Sequence, residues 1–296
     1  MPDIHRCALV TRFADTHVAE STALLASYLT ARGLEVLASE DERDKLPGVH
    51  ARFLAESTLV DESDLIIAIG GDGTLLYAAG LVADRGTPLL GINRGRLGFL
   101  TDVMPEDMLA SVDAAIAGQC SRDQRPLLRA EIQLDSGSVI RGLALNDVVL
   151  QKRQSGHLID FETWIDGRLV NRHGGDGLVV ASATGSTAYA LSCGGPIVDP
   201  SLDVVVVTPI CPHTLSDRPI VVSSRSVIEI RLIDRPDSSA EVACDGRPLA
   251  PLSPGDSLVI HSAGVHITLL HREGYDYYRL LRSKLNWGRR SFDTQR

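Results

Sequence analysis

The segment Gly70–Thr74, which reads Gly-Gly-Asp-Gly-Thr, combines residue types that suit phosphate chemistry. It follows an apolar run, Leu65–Ile69, that is typical of a buried strand, and it precedes a stretch of helical character from Leu75 to about Ala83. Glycine lets backbone N–H groups approach an anion closely because it has no Cβ atom. The N-terminus of the following helix adds N–H donors and a positive dipole. The segment is therefore predicted to bind phosphate through Gly70, Gly71, Gly73 and Thr74.

Asp72 stands in the middle of this predicted phosphate site. A carboxylate repels phosphate unless a metal ion screens its charge or the group takes part in the reaction. Phosphoryl transfer supplies both conditions. The sequence contains no G-x-x-x-x-G-K-[ST] motif, so the site is not a P-loop. The alternative interpretation of the segment is a plain connection between a strand and a helix.

Three further segments bring polar or small residues to the ends of predicted strands. Gly91–Leu100 follows a strand and favours a structural loop. Asn146-Asp147 suits recognition of ribose hydroxyls, although a turn is the alternative. Asp176–Tyr189 runs from an apolar strand into a hydroxyl-rich turn, where Tyr189 is suited to stack on a base. The hydroxyl groups of that turn could instead serve only as helix caps.

The pattern of elements predicts two kinds of architecture. The first third alternates short apolar runs with helical stretches, including Thr16–Arg32, Arg52–Val60 and Pro105–Gly118, which indicates a parallel sheet covered by helices. From Leu127 to about His271 the chain shows short alternating runs separated by turns such as Asp166-Gly167, which indicates a largely antiparallel β structure. The tail has helical spacing.

Composition excludes several classes of protein. The 296 residues carry a formal net charge of −9, which argues against nucleic-acid binding and against attachment to anionic membranes. The sequence contains no run of about 18 apolar residues, so no membrane span is expected. The first six residues lack the apolar core of a signal peptide, so a cytoplasmic location is expected.

Cysteine and histidine spacing does not predict a metal site. The five cysteines are scattered without a C-x-x-C pair. His261, His266 and His271 are evenly spaced, but a separation of five puts neighbours on opposite faces of a strand. His157 and His173 lie near the candidate segments and are better predictions for ligand contacts, with exposed loop histidine as the alternative.

Taken in order, these motifs resemble the NAD kinase family along essentially the whole chain. The resemblance rests on Gly-Gly-Asp-Gly-Thr, the Gly-x-Leu-Gly-Phe segment Gly95–Phe99, Asn146-Asp147, the segment from Asp176-Gly177 to Tyr189, and the segment Pro212–Pro219. The sequence departs from the family pattern at Ala183, at Gly174-Gly175 and at Arg247, where relatives often carry proline, a basic residue and an amide.

The resemblance implies an α/β domain with a parallel sheet over residues 1–121, a β-sandwich-like dinucleotide-binding domain over 122–272, and a C-terminal helix over 273–296 that returns to the first domain. It implies transfer of the γ-phosphate of ATP to the adenosine-ribose 2′-hydroxyl of NAD, giving NADP. A divalent cation, most readily Mg²⁺, and a homodimer or homotetramer are also implied. The sequence assigns no metal ligands.

Site residues are assigned on the same basis. Asp72 is predicted to be the general base. The residues predicted to bind NAD are Asp72, Gly73, Asn146, Asp147, His157, Asp176, Thr187, Ala188, Tyr189, Ala190, Leu191, Ser192 and Arg247. Two alternatives stay open, namely a kinase of the same superfamily acting on a lipid or sugar alcohol, and a non-catalytic nucleotide sensor, which has no need of Asp72.

Overall fold

The computed structural model describes residues 4–12, 16–95, 98–153, 158–234 and 239–287. The chain divides into two compact units. Unit 1 comprises Met1–Gln124 together with Ile267–Arg296, and unit 2 comprises Arg125–His266.

Both units are built from regular elements, numbered here along the chain. The strands are β1 (Arg6–Thr11), β2 (Glu35–Ser39), β3 (Arg52–Leu54), β4 (Leu65–Gly70), β5 (Leu89–Asn93), β6 (Ser121–Gln133), β7 (Val139–Ala144), β8 (Asp147–Lys152), β9 (Ile159–Ile165), β10 (Arg168–Gly175), β11 (Gly177–Ser182), β12 (Val204–Ile210), β13 (Ile220–Ser223), β14 (Ile228–Leu232), β15 (Ala240–Cys244), β16 (Arg247–Leu252) and β17 (Ser257–His271). The helices are α1 (Thr16–Ala31), α2 (Glu56–Glu62), α3 (Asp72–Val82), α4 (Met108–Ile116), α5 (Tyr189–Ser192) and α6 (Tyr277–Leu285).

Unit 1 contains a parallel sheet in the order β17, β5, β4, β1, β2, β3, to which β17 contributes its C-terminal part. Residues Leu65–Ile69 of β4 are completely buried, as expected of a central strand with both faces covered. Gly70, at the end of β4, pairs with Asn93 at the end of β5. Because parallel strands end at the same edge of a sheet, the loops that follow β4 and β5 are neighbours.

Unit 2 contains two antiparallel sheets. One has the order β10, β9, β14, β17, with the β6–β7 pair beside it, and the other has the order β13, β12, β11, β8, β15, β16. A single hydrophobic cluster includes residues of both sheets, such as Phe161 and Ile230 from one and Val148 and Val180 from the other. In the second sheet Ala181 of β11 pairs with Asp147 of β8. This register brings the start of β8 to the loop that follows β11.

These two architectures confirm the predicted fold class, an α/β part with a parallel sheet and an all-β part. Helix α6 belongs to unit 1 and is capped at its N-terminus by Asp276, whose carboxylate accepts hydrogen bonds from the N–H groups of Tyr278 and Arg279. None of the helices in the described ranges is long and apolar enough to cross a membrane.

Candidate active site

The glycine-rich turn joins β4 to α3 in unit 1. Gly71 is the N-cap of α3, and Asp72 and Gly73 are in its first turn, whose N–H groups have no carbonyl partner one turn earlier in the helix. A Cβ atom added at Gly71 or Gly73 would meet no described atom within 4 Å, whereas one at Gly70 would overlap the Thr74 hydroxyl. Gly70 is therefore needed for close packing, and the other two glycines leave open space beside the helix N-terminus.

The carboxylate of Asp72 is held by the loop that follows β5. Asp72 Oδ2 accepts a hydrogen bond from the N–H group of Phe99 at 2.7 Å. Asp72 Oδ1 accepts three, from the N–H groups of Leu100 and Thr101 and from the Thr101 hydroxyl, each at 3.0 Å. A carboxylate has about four acceptor positions, two on each oxygen. Among the described residues Oδ2 uses one of its two, so it retains a position for a further donor.

The same loop is fixed from its other side by Asn93. The amide nitrogen of Asn93, a residue that is 1% exposed, donates to the Thr101 hydroxyl at 2.9 Å, and its Oδ1 accepts from the N–H group of Gly95 at 2.7 Å. The segment Gly91–Leu100, which was predicted to be a structural loop, thus helps to orient the carboxylate of Asp72, which was predicted to be catalytic.

In unit 2 Asn146 ends the tight connection between β7 and β8, and Asp147 is the first residue of β8. The carboxylate of Asp245 accepts the N–H groups of Leu145, Asn146 and Asp147 at 2.8, 2.8 and 3.1 Å. Asn146 Oδ1 is buried and has no hydrogen-bond partner among the described residues. A buried acceptor without a partner is costly, which makes this atom a candidate for accepting a donor from a ligand.

Asp147 is 5% exposed and lies close to a second carboxylate. Burial, and then the negative charge of Asp245, raise the pKa of Asp147 to about 7, against a smaller lowering effect of the hydrogen bond from the backbone of Tyr189. Burial also raises the pKa of Asp245, although its three backbone hydrogen bonds and the nearby Arg247 oppose this.

The segment after β11 lies against this pair. A Cβ atom at Gly185 would overlap the carbonyl of Asn146, so the two segments are in close backbone contact. A short 3₁₀ helix, Thr184–Thr187, leads through Ala188 into α5. The residues predicted here to bind NAD differ in access, since Tyr189 and Ser192 are exposed, Thr187, Ala188 and Leu191 are half-buried, and the side chain of Ala190 is fully buried in a hydrophobic cluster.

The other predicted NAD ligands have varied surroundings. Asp176 forms an ion pair with Lys152, with 2.6 Å between Nζ and Oδ1, and both side chains are partly exposed. Arg247 lies at the start of β16, near Asp245. His157 lies outside the described residues. His173, which the sequence also favoured, is buried, stacks on Phe161 and has its Nδ1 3.0 Å from Asp217 Oδ2.

A cavity of about 510 Å³ opens at the carboxyl ends of β1 and β2, where ligands bind in open α/β sheets. Its lining includes Thr11, Arg12 and Ser39, and Tyr77 of α3. Its volume is within the range of small-molecule sites. The described residues include no group of three or more His, Cys, Asp or Glu side chains able to hold a metal ion.

Sequence reasoning missed the residues that position the predicted ones. Asp245 had a local signal, because Asp245-Gly246 follows a strand and predicts a tight turn, and Asp245 has a φ of 49°. Asn93 had no signal beyond its place at the end of a strand, and Thr101 had none beyond its place in the segment that follows.

Comparisons with known proteins give one consistent result. A model of the ATP-NAD kinase N-terminal domain matches residues 8–120, and a model of the ATP-NAD kinase C-terminal domain matches residues 145–271. The chain is 43% identical over 282 residues to the NAD kinase of Nitrosococcus oceani, covering 95% of this chain and 96% of the relative. It is 45% identical over 288 residues to the NAD kinase of Thiobacillus denitrificans, covering 97% and 98%.

Solved structures agree with these relatives. An NAD kinase from Archaeoglobus fulgidus, crystallised in complex with ATP, matches with a TM-score of 0.74 and 28% identity over 95% of this chain and 98% of that one. Yeast NADH kinase complexed with NADH matches with a TM-score of 0.92 over 98% of this chain and 89% of that one. At 24% identity the second likeness shows the fold alone.

Proposed function

The chain belongs to the NAD kinase family, whose members phosphorylate NAD to NADP, and from this premise we propose that Asp72 is the general base of that reaction. Asp72 accepts the proton of the adenosine-ribose 2′-hydroxyl while the oxygen attacks the γ-phosphorus of ATP, and the bond from that phosphorus to the β,γ-bridging oxygen breaks to release ADP. The observation that carries the proposal is the orientation of the carboxylate, which four hydrogen bonds hold in place while Oδ2 retains an acceptor position. A positioned base contributes about 10²–10⁴-fold to such a step.

Phosphate groups bind beside Asp72, at the N-terminus of α3. Open space at Gly71 and Gly73 supports this placement, because an anion there can approach the first-turn N–H groups without meeting a side chain. Gly70 and Thr74 complete the turn. The helix dipole and the N–H groups offset part of the phosphate charge as the transition state forms.

The adenosine part of NAD binds to unit 2. The buried Oδ1 atom of Asn146 accepts a hydrogen bond from it, and Asp147 offers a second polar contact. Tyr189 is exposed and supplies an aromatic face for the base. Thr187, Ala188, Leu191, Ser192, Asp176 and Arg247 remain predicted NAD contacts on the family resemblance.

A divalent cation, most readily Mg²⁺, reaches the site with ATP. Mg²⁺ is commonly held by substrate phosphates and water with only one or two carboxylates, so the phosphate oxygens of ATP would supply most of its ligands. When bound, the cation would neutralise part of the negative charge of the ATP phosphates. A cytoplasmic location and a homodimeric or homotetrameric assembly remain predictions, the second of which analytical ultracentrifugation would test.

The proposal for Asp72 is tested with Asp72→Asn, which keeps the shape of the side chain but removes the base. NADP formed from NAD, ATP and Mg²⁺ is measured with an NADP-specific dehydrogenase. We expect kcat to fall by about 10²–10⁴-fold. Asp84→Asn, at an exposed aspartate just after α3, is the matched control and keeps wild-type activity. A near wild-type kcat for Asp72→Asn, in a variant that unfolds at the wild-type temperature, contradicts the role.

A further inference from the structure

A buried histidine–aspartate pair lies in unit 1, close in sequence to the loop that holds Asp72. His271, the last residue of β17, is 2% exposed, and its Nδ1 is 2.9 Å from Asp102 Oδ2. Its ring stacks on Tyr275, with 3.8 Å between the ring centroids and 10° between the planes. Its Nε2 is 3.5 Å from Asp123 Oδ2 but makes no hydrogen bond to a described residue. The imidazole is thus held by a hydrogen bond at Nδ1 and by stacking on one face.

Asp102 depends on this histidine. Its Oδ1 is buried and has no hydrogen-bond partner among the described residues, so the contact with His271 is the side-chain contact that satisfies this carboxylate. Burial lowers the pKa of His271, but the hydrogen bond to Asp102 and the negative charges of Asp102 and Asp123 outweigh it and leave the pKa raised. Asp102 therefore favours the charged form of the imidazole, and removal of one partner leaves a buried charge without compensation.

The pair is connected directly to the donors of Asp72. Asp102 follows Thr101, whose N–H and hydroxyl groups both bind Asp72 Oδ1. After Asp102 the chain returns to the sheet, where the carbonyl of Val103 accepts the N–H group of Asn93. The loop is thus held at its middle by Asp72 and at its end by the side chain of Asp102.

From this geometry we propose that His271 is a positioning residue, which holds Asp102 and thereby the 98–101 loop in the place where its donors orient the Asp72 carboxylate. Its effect on catalysis rests on the proposed role of Asp72, whereas its effect on the loop does not. An apolar side chain would fill the same space without the cost of burying a charged pair. The pair fixes one arrangement of the loop, which an apolar contact would leave less defined.

The loop position is read directly from one backbone N–H group. The chain contains five phenylalanines, so a full-length protein labelled with ¹⁵N-phenylalanine gives at most five amide signals. The Phe99 signal is identified by its loss in Phe99→Leu, and it reports the hydrogen bond to Asp72 Oδ2. We expect His271→Leu to move this signal and to lower kcat by roughly tenfold or more, since a small misplacement of a catalytic group is costly.

Two polar variants separate positioning from packing. The amide of asparagine can occupy the place of Nδ1, and that of glutamine the place of Nε2. We expect His271→Asn to keep the Phe99 signal at its wild-type position and to keep most of the wild-type kcat. We expect His271→Gln to keep neither. His266→Leu, at an exposed histidine on the same strand, is the matched control and leaves both unchanged.

The outcomes are distinct from those of the Asp72 experiment. An unmoved Phe99 signal in folded His271→Leu and His271→Gln overturns the proposal, whatever Asp72 does. If His271→Leu does not fold, the comparison of the Asn and Gln variants decides. If the Phe99 signal moves as expected but kcat does not change, the positioning of the loop is supported and the base role of Asp72 is the part that fails, which Asp72→Asn shows independently.

Discussion

Gly98 lies directly against the carboxylate of Asp72, because a Cβ atom built at Gly98 would overlap Asp72 Oδ1 and the Thr101 hydroxyl. Gly98→Ala is therefore expected to displace the carboxylate or the loop that holds it. A misplacement of about 1 Å can cost on the order of 10²-fold in rate, and we expect a loss of that size in kcat. Steady-state kinetics with NAD and ATP measure it.

The control for this substitution lies on the same loop. A Cβ atom at Gly95 meets no described atom within 4 Å, so Gly95→Ala makes the same chemical change without a clash. Its kcat should stay close to wild type. Equal losses in Gly95→Ala and Gly98→Ala would mean that loop flexibility, rather than contact with Asp72, limits the rate.

Gly73→Ala tests the proposed phosphate site. Gly73 is in the first turn of α3, where alanine favours the helix by up to about 1 kcal/mol over glycine. Open space around Gly73 predicts an unchanged or higher unfolding temperature. The added methyl group would stand where a phosphate approaches, so the KM for ATP or NAD should rise roughly tenfold, a loss equivalent to about 1.4 kcal/mol.

Gly80→Ala is the matched variant, since Gly80 is exposed in the same helix and distant from its N-terminus. It should stabilise α3 without changing either KM. If Gly73→Ala binds both substrates as wild type does, the phosphates lie elsewhere.

The elements of the fold were largely predictable from local patterns, because the apolar run before Gly70 and the alternation of the first third are signals that lie within single elements. The segment Arg52–Val60 shows where such signals fail. It was predicted to be helical, but the chain forms β3 over Arg52–Leu54 and begins α2 only at Glu56. A three-residue edge strand has no periodicity of its own, and its pairing with β2 decides its structure.

The candidate site shows the same limit. Asp72 was identifiable because a carboxylate among glycines is an unusual local pattern. Its donors Phe99, Leu100 and Thr101 are 27 to 29 residues away, and Asp245 is 98 residues from Asp147. Contacts of this kind depend on strand order and register, which no single segment encodes.

Asp147 gives the protein a pH-dependent stability. Its pKa is about 7 in the folded chain against an ordinary value of 3.8. As the pH rises from about 4 to about 7, the unfolded chain releases this proton while the folded chain retains it, so stability decreases through that window and the full cost is present above it. Asp147→Asn cannot ionise and avoids this cost.

We therefore compare the unfolding free energy of Asp147→Asn with that of wild type at two pH values. We expect the difference in favour of the variant to increase by about 2–4 kcal/mol from about pH 5 to pH 8, since one pKa unit corresponds to about 1.4 kcal/mol. Urea unfolding at the two pH values measures the difference. Asp203→Asn, at an exposed aspartate of the same unit, should show no such gain. A constant difference between wild type and Asp147→Asn across this range would contradict the raised pKa.

Asp245 supports the same site through its backbone contacts. Asp245→Ala removes the acceptor of three N–H groups, and each buried donor left without a partner costs about 1–3 kcal/mol. Alanine is also disfavoured at the left-handed φ of 49°, which asparagine tolerates. Asp245→Ala should therefore unfold at a markedly lower temperature than wild type and have a raised KM for NAD, because Asn146 and Asp147 lose their fixed positions.

Asp245→Asn separates this support from the charge of the group. It keeps one side-chain acceptor and the backbone conformation but removes the negative charge that helps to raise the pKa of Asp147. The variant should be more stable than Asp245→Ala, and its loss of stability with rising pH should be smaller and end at lower pH than in wild type, because the pKa of Asp147 in the folded chain falls. Unfolding free energies measured across the pH range would reveal both effects. A wild-type pH dependence in Asp245→Asn would mean that burial alone, and not the neighbouring carboxylate, sets the protonation of Asp147.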